Sequence, residues 1–235
     1  MLLSAIVDEL RLERRERLDQ ARLQLLFTPR LCAADPLETL RAALPWTDVV
    51  QVRIEPEPGR GTAPARETWE WTRRVLALVS DAGEGTLVVV NDRVDVAASL
   101  ASEGCAGVHL GQDDAPVEIA RRFLGASAVL GLSTHDASQI GLAATTDDLD
   151  TLGFGPIHAT ATKGYRRGVG AEAAWIAQAA TSLPVFPIGG IDATNASELD
   201  TVGRAAVSSA ILGAEDPGRA AETIYTLLAG ESGTP

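Results

Sequence analysis

The stretch TLVVVND, residues 86–92, decides the fold, and GVHLGQDD, residues 107–114, repeats its logic. Each opens as an unbroken apolar run and ends in carboxylates. Neither shows the apolar and polar alternation of a strand with one wet face. Both therefore read as strands buried on both sides, the habit of parallel sheets covered by helices.

Six further runs of the same kind lie on either side of this pair: LQLLFTP (23–29), DVVQVRI (48–54), AVLGLST (128–134), TLGFGPI (151–157), PVFPIGG (184–190) and AAVSSAI (205–211). Each run is followed by a helical pattern, at 36–44, 64–80, 93–103, 115–124, 136–146, 171–182, 194–201 and 216–228. Eight strand-helix units with short connections predict a closed, right-handed parallel (β/α)8 barrel, with a doubly wound open sheet as the runner-up. At 235 residues and 46% hydrophobic content the chain suffices for one large core. The expected organisation is an N-terminal helical extension over 1–20, with Leu3, Ile6, Val7 and Leu10 at helical spacing, and a barrel domain over 21–235.

Composition excludes several classes of partner. A formal net charge of −12 disfavours nucleic acid and anionic membrane surfaces, which demand clustered cations. No run reaches the ~18–20 uninterrupted apolar residues of a membrane span. Cys32 and Cys105 are too few and too unpatterned for a disulfide framework or a zinc site, so an ordinary reducing cytosol is the expected location. No pattern sets an oligomeric state.

In a parallel barrel every strand points the same way, so strand ends converge on one mouth. Asp92 and Asp114 would meet there as hard oxygen ligands, and two carboxylates completed by phosphate oxygens and water suit Mg²⁺. The competing reading makes each aspartate a helix N-cap. IGGID (188–192) and Ser208–Ser209 end the last two strand runs, where barrels often hold phosphate. Gln51 and Arg53 share a face of their strand, and an interior arginine needs an anion. Lys163 is the chain's only lysine, set among Thr160, Thr162, Arg166 and Arg167. Two longer loops, 55–67 and 158–170, leave the same ends of their strands and read as lids. The three histidines read as packed or hydrogen-bonded residues rather than metal ligands, the four tryptophans read as packing residues, and no nucleophile elbow occurs.

VNDRVDVA, GVHLGQDD, GLSTH, GFGPIHATATK and PIGGID, in that order, resemble the motifs of thiamine-phosphate synthases, from the first strand to the last helix. The resemblance implies a (β/α)8 TIM barrel joining hydroxymethylpyrimidine pyrophosphate to hydroxyethylthiazole phosphate, with Mg²⁺, to give thiamine monophosphate and pyrophosphate. It implies that Asp92 and Asp114 hold the metal, and that Asn91, Arg53, Ser133 and Lys163 contact the diphosphate. Of these, Ser133, Lys163 and Arg53 would assist catalysis. Gln51 would orient the pyrimidine, while Thr160, Thr162, Gly190, Ser208 and Ser209 would receive the thiazole phosphate. Two segments depart from the family pattern. QVRIE places Glu55 where the family has a lysine, a charge that Arg60 or Arg66 could offset, and FTPR replaces the usual ending of the first strand. Retention of both aspartates argues against a thiazole tautomerase-like enzyme, and Glu55 is the feature that would favour a non-catalytic thiamine-phosphate-binding barrel.

Overall fold

A computed structural model of the chain describes residues 2–55, 64–83, 85–159 and 167–230. Eight parallel strands form one sheet: β1 (Leu23–Phe27), β2 (Val49–Val52), β3 (Leu87–Asn91), β4 (Gly107–Leu110), β5 (Val129–Thr134), β6 (Thr151–Phe154), β7 (Val185–Pro187) and β8 (Ala205–Val207). Each strand pairs with the next in sequence, and β1 also pairs with β8. A single parallel bridge, Ile188 to Ala206, joins β7 to β8 and closes the ring. The expected barrel is the observed one.

The helices are α1 (Leu2–Gln20), α2 (Pro36–Ala43), α3 (Ala65–Ala82), α4 (Val94–Ser99), α5 (Val117–Leu124), α6 (Ala137–Ala143), α7 (Ala171–Ala179), α8 (Ser209–Leu212) and α9 (Pro217–Leu228). Local chemistry marks their ends. Asp35 accepts hydrogen bonds from the N–H groups of Leu37 and Glu38, each 3.0 Å, ahead of Pro36, and Asp216 does the same for Arg219 ahead of Pro217. Gly83, at φ 69°, ends α3 in the left-handed conformation that glycine adopts at low cost.

Two local expectations differ from the structure. The helix expected over 194–201 is a 3-10 turn, Ala196–Leu199, because Asp192 and Asn195 spend their side chains on the backbone of the loop before it. The run read as a strand over 205–211 is only half strand. It breaks at Ser208, whose hydroxyl donates to the Leu26 carbonyl at 2.9 Å, and continues as α8, burying Ile211 and Leu212.

The strands are buried on both faces, which hides their alternation. Val50, Val52, Val88, Val90, Val108 and Leu130 face the helices in the outer core, while Leu26, Val49, Leu87, Val89, Val129 and Phe186 point inward. Burying each such side chain stabilises the fold by about 1.5–3 kcal/mol. Along the inward rows, chemistry changes with height. Val49 leads to Gln51 and Arg53, Leu87 and Val89 lead to Asn91, and Val129 leads to Gly131 and Ser133. The lower interior is apolar and the upper interior is polar.

α1 lies across the floor. Its Leu18 is buried in the interior cluster with Leu26, Val49 and Phe186. Arg14 donates to the Ser127 carbonyl at 2.8 Å, Arg15 pairs with Asp150, and Arg204 reaches back to the Leu18 carbonyl at 3.2 Å. Among the described residues α1 thus covers the end of the barrel opposite the C-terminal mouth.

Candidate active site at the barrel mouth

Three amides begin the site. Gln24 Nε2 donates to Gln51 Oε1 and Gln51 Nε2 donates to Asn91 Oδ1, each at 2.6 Å, linking β1, β2 and β3 through the interior. Gln24 and Gln51 are buried, and a buried amide is tolerated because its donors and acceptors are matched. Above them Arg53 and across from them Ser133 line the same inner cavity, with Gly190, Ser208 and Ser209 on its far wall. Burial pushes the Arg53 guanidinium below its ordinary pKa, against the opposing pull of Asp92.

A second, outer cleft adjoins this cavity and shares Arg53, Asn91, Ser133 and His135 with it. Asp92 and Asp114 both line that cleft, so they stand on one rim. Neither is an N-cap: α4 is preceded by Arg93 and α5 by Pro116, both without a side-chain capping bond. Asp114 instead accepts the Gly111 N–H at 2.6 Å. Asp92 sits at φ 63°, in the left-handed region that a non-glycine residue enters at a cost and that clusters at functional sites. Its N–H donates to the His109 carbonyl at 2.8 Å, which ties the turn to β4.

The glycine loop is braced from behind. Gly190, at φ 66°, could not carry a side chain, since a Cβ there would lie 2.6 Å from the Ala159 carbonyl oxygen. Asn195 Nδ2 donates to the Gly190 carbonyl at 2.8 Å, while its Oδ1 accepts from Asp192 N–H. Hydrogen bonds from the Thr194 hydroxyl and N–H hold the Asp192 carboxyl below its usual range.

Glu55 is where the sequence expectation changes. Its side chain, only 10% exposed, forms ion pairs with both Arg53 and Arg30. Arg66 pairs with Glu70 at 2.9 Å instead, and Arg60 lies outside the described residues. Thr160, Thr162, Lys163 and Arg166 also lie outside them. The remaining expected residues, Gln51, Arg53, Asn91, Asp92, Asp114, Ser133, Gly190, Ser208 and Ser209, all border the two adjoining spaces.

Sequence reading missed four contributors. His109 and His135, expected as packed or hydrogen-bonded residues, are hydrogen-bonded and also line the inner cavity; His109 Nε2 lies 3.0 Å from Ser133 Oγ, and His135 Nδ1 lies 2.7 Å from the Gly155 carbonyl. Gln112 donates to the Ser133 carbonyl at 2.6 Å. Gln24 was legible as the one polar residue in LQLLF. Trp71 does pack, edge-on to Phe27, but Trp175 is 52% exposed.

Fold and site together define a (β/α)8 barrel with a polar, partly charged cavity at its C-terminal mouth. Residues 23–211 match the family described as thiamine monophosphate synthase, and the chain belongs to that family. It is 36% identical over 217 residues to a thiamine-phosphate synthase of Parasynechococcus marenigrum, covering 92% of this chain but 58% of that relative, so it spans little more than half that relative's length. Against a thiamine-phosphate synthase of Saccharopolyspora erythraea it is 37% identical over 219 residues, covering 91% of this chain and 96% of the relative. A solved thiamine phosphate pyrophosphorylase from Pyrococcus furiosus superposes with a TM-score of 0.73 at 29% identity, over 93% of this chain and 99% of that one.

Proposed function

We propose that the chain acts as a thiamine-phosphate synthase, coupling hydroxymethylpyrimidine pyrophosphate to hydroxyethylthiazole phosphate and releasing pyrophosphate. One observation carries the reading. Arg53, Asn91 and Ser133 line both the inner cavity and the outer cleft, so a ligand can extend from one space into the other without leaving these polar groups. The amide row of Gln24, Gln51 and Asn91 suits the ring nitrogens and amine of a pyrimidine, and the outer cleft suits its diphosphate. The glycine loop and the Ser208–Ser209 turn suit the phosphate of the second substrate.

The bond from the pyrimidine methylene carbon to the diphosphate oxygen breaks, that oxygen keeping the electron pair. The thiazole nitrogen lone pair forms the new carbon–nitrogen bond. No protein nucleophile is needed. The chain's task is to align the two substrates, exclude water from a cationic carbon, and stabilise the charge gathering on the leaving diphosphate. Arg53 and the Ser133 hydroxyl stand where they can do the last of these, and Lys163 is proposed to join them.

A magnesium ion suits the donors in the outer cleft. Among the described residues no cluster of three or more histidine, cysteine or carboxylate groups occurs. Two aspartates on one rim fit a hard cation that takes its other ligands from diphosphate and water. Such an ion, held by Asp92 and Asp114, would neutralise part of the leaving group's charge. Location in the cytoplasm belongs to the same proposal, supported by two cysteines that remain free thiols. Among the described residues no helix is long and apolar enough to cross a membrane.

The test is direct. Purified protein given both substrates and Mg²⁺ should release pyrophosphate and form thiamine monophosphate in equal amounts. Binding of both substrates without turnover would instead favour a non-catalytic barrel.

A further inference from the structure

We propose that Gln24, buried below the inner cavity, is a positioning residue: it sets which way the amides of Gln51 and Asn91 face, and so aims the Asn91 N–H groups at a diphosphate. This rests on the proposed function, which supplies the diphosphate. The observation behind it is the direction of a hydrogen-bonded row.

The row climbs the inside of the barrel wall. Gln24 is in register with Val49 of β2, Gln51 with Val89 of β3 and Asn91 with His109 of β4, so each amide stands one pleat above the last. The row runs from the apolar layer to the mouth. Gln24 lines neither space, Gln51 lines the inner cavity, and Asn91 lines both cavity and cleft. Gln24 can reach a ligand only through the other two.

Direction matters because an amide has two unlike ends, two N–H donors on nitrogen and an acceptor oxygen. Gln24 Nε2 donates to Gln51 Oε1 and Gln51 Nε2 donates to Asn91 Oδ1, each at 2.6 Å, so both bonds point toward the mouth. Asn91 accepts within the row and donates nothing to it. Both of its N–H groups are therefore left for whatever fills the space it shares with Arg53 and Ser133. Diphosphate oxygens only accept, and the nitrogen end of the amide attracts them. Reversing the row would turn the Asn91 carbonyl oxygen toward the diphosphate and repel it.

The buried end decides the direction. In the observed sense Gln24 places one N–H in the row; in the reverse sense it would place neither, leaving both beside its register partners Val49 and Ala206 in the apolar interior. Buried N–H groups without partners are rarer than carbonyls short of a bond. Gln24 thus favours the sense that sends donors upward, and Gln51 passes that sense on to Asn91. A hydrocarbon at position 24 would free Gln51 to turn either way.

The experiment is a double-mutant cycle read by calorimetric titration of inorganic pyrophosphate, with Mg²⁺ present, into the full chain and into Gln24→Met, Asn91→Ala and the variant carrying both. Methionine matches glutamine in length and has no donor. Gln24→Met should weaken binding by about tenfold, the scale of one hydrogen bond to a charged group, although residue 24 lines neither space. Asn91→Ala should weaken it at least as much. Adding Gln24→Met to Asn91→Ala should change nothing further, because the path from residue 24 to the ligand is already cut. Gln24→Leu, a second apolar replacement, should match Gln24→Met and carries the cycle if the methionine variant does not fold. In steady state, KM for the pyrimidine diphosphate should rise in Gln24→Met while KM for the thiazole phosphate stays put, a split that general loosening of the barrel would not produce. If a folded variant at position 24 binds pyrophosphate as the wild type does, Gln24 only fills space and the proposal is wrong. If the two losses add in the double variant, Gln24 acts apart from Asn91 and the proposal is equally wrong. Wild-type turnover of the two substrates is read separately: its absence removes the proposed function, while the pyrophosphate titrations still decide for or against Gln24.

Discussion

His109 Nε2 lies 3.0 Å from Ser133 Oγ, inside a slot that two glycines leave open. Gly131 is paired in register with His109, and Gly153 with Ser133. A Cβ on Gly131 would run into His109 Nδ1, and one on Gly153 would lie 3.3 Å from the ring. The glycines on β5 and β6 let a buried imidazole lie across the interior and aim at the serine hydroxyl that borders both spaces.

Gly131→Ala should therefore act through His109. Overpacking a barrel interior costs about 1–3 kcal/mol, and the imidazole can escape the collision only by leaving Ser133. A urea titration should show a loss in that range, and kcat/KM should fall by about tenfold or more, the scale set by one hydrogen bond to a charged or reacting group. Loss of stability with kcat/KM unchanged would mean that the His109–Ser133 contact has no part in the reaction.

At the opposite end of the barrel, Asp150 holds the floor. Its carboxylate, with the side chain 2% exposed, accepts from Arg121 Nη2 at 2.7 Å, from Arg15 Nε at 2.8 Å and from the Leu130 N–H at 2.9 Å. Removing one member of a buried ion pair strands the rest, so Asp150→Ala should destabilise the fold by about 3–5 kcal/mol by denaturant titration. Because this network lies below the apolar layer, KM for both substrates should stay near the wild-type value under conditions where the variant is folded. A shift in KM would show that floor and mouth are coupled.

The fold was legible because parallel strands buried on both faces leave an unmistakable trace, apolar runs such as TLVVVND in a count of eight. Strand ends were legible for the same reason, which is why Asp92 and Arg53 could be named from the runs themselves, whereas Asn91 and Ser133 came only with the family resemblance. What could not be read were relationships across the barrel. Nothing in GVHLG distinguishes a histidine packed among aliphatics from one slotted between Gly131 and Gly153, since both glycines belong to other strands. The partner of Glu55 was sought in its own loop, at Arg60 or Arg66. It came from Arg30, because adjacent strands of a parallel barrel bring the loops after β1 and β2 side by side. The break at Ser208 was hidden too, since Ala and Ile in AAVSSAI suit strand and helix alike.

Alkaline stability offers a check on the interior near β4. Burial pushes the Cys105 thiol from an ordinary value of 9.0 up to about 11. Above pH 9 the unfolded chain releases this proton while the folded chain keeps it, so the unfolded state binds fewer protons and stability falls as pH rises. The contribution is fully present below pH 9 and is lost between about 9 and 11, and two pKa units correspond to about 2–3 kcal/mol. Urea titrations at pH 8 and pH 10.5 should show a steeper loss for the wild type than for Cys105→Ala. Parallel losses would place the thiol in a wetter setting.

The two rim aspartates should separate by what else each does. Asp92→Asn and Asp114→Asn both remove a charge from the outer cleft, and each should raise the Mg²⁺ concentration giving half-maximal turnover by about 10–100-fold, the range seen when metal-site support is removed. Asp114→Asn retains an oxygen for the Gly111 N–H, 2.6 Å away in the wild type, so the turn after β4 should persist. Asp114→Ala loses that bond as well and should cost a further ~1 kcal/mol of stability. Asp92 occupies a left-handed backbone position at φ 63° that asparagine tolerates and alanine resists, so Asp92→Ala should be less stable than Asp92→Asn. Magnesium titrations of turnover, read beside urea midpoints for the four variants, resolve charge from backbone. An unchanged magnesium requirement in both asparagine variants would falsify the shared metal site.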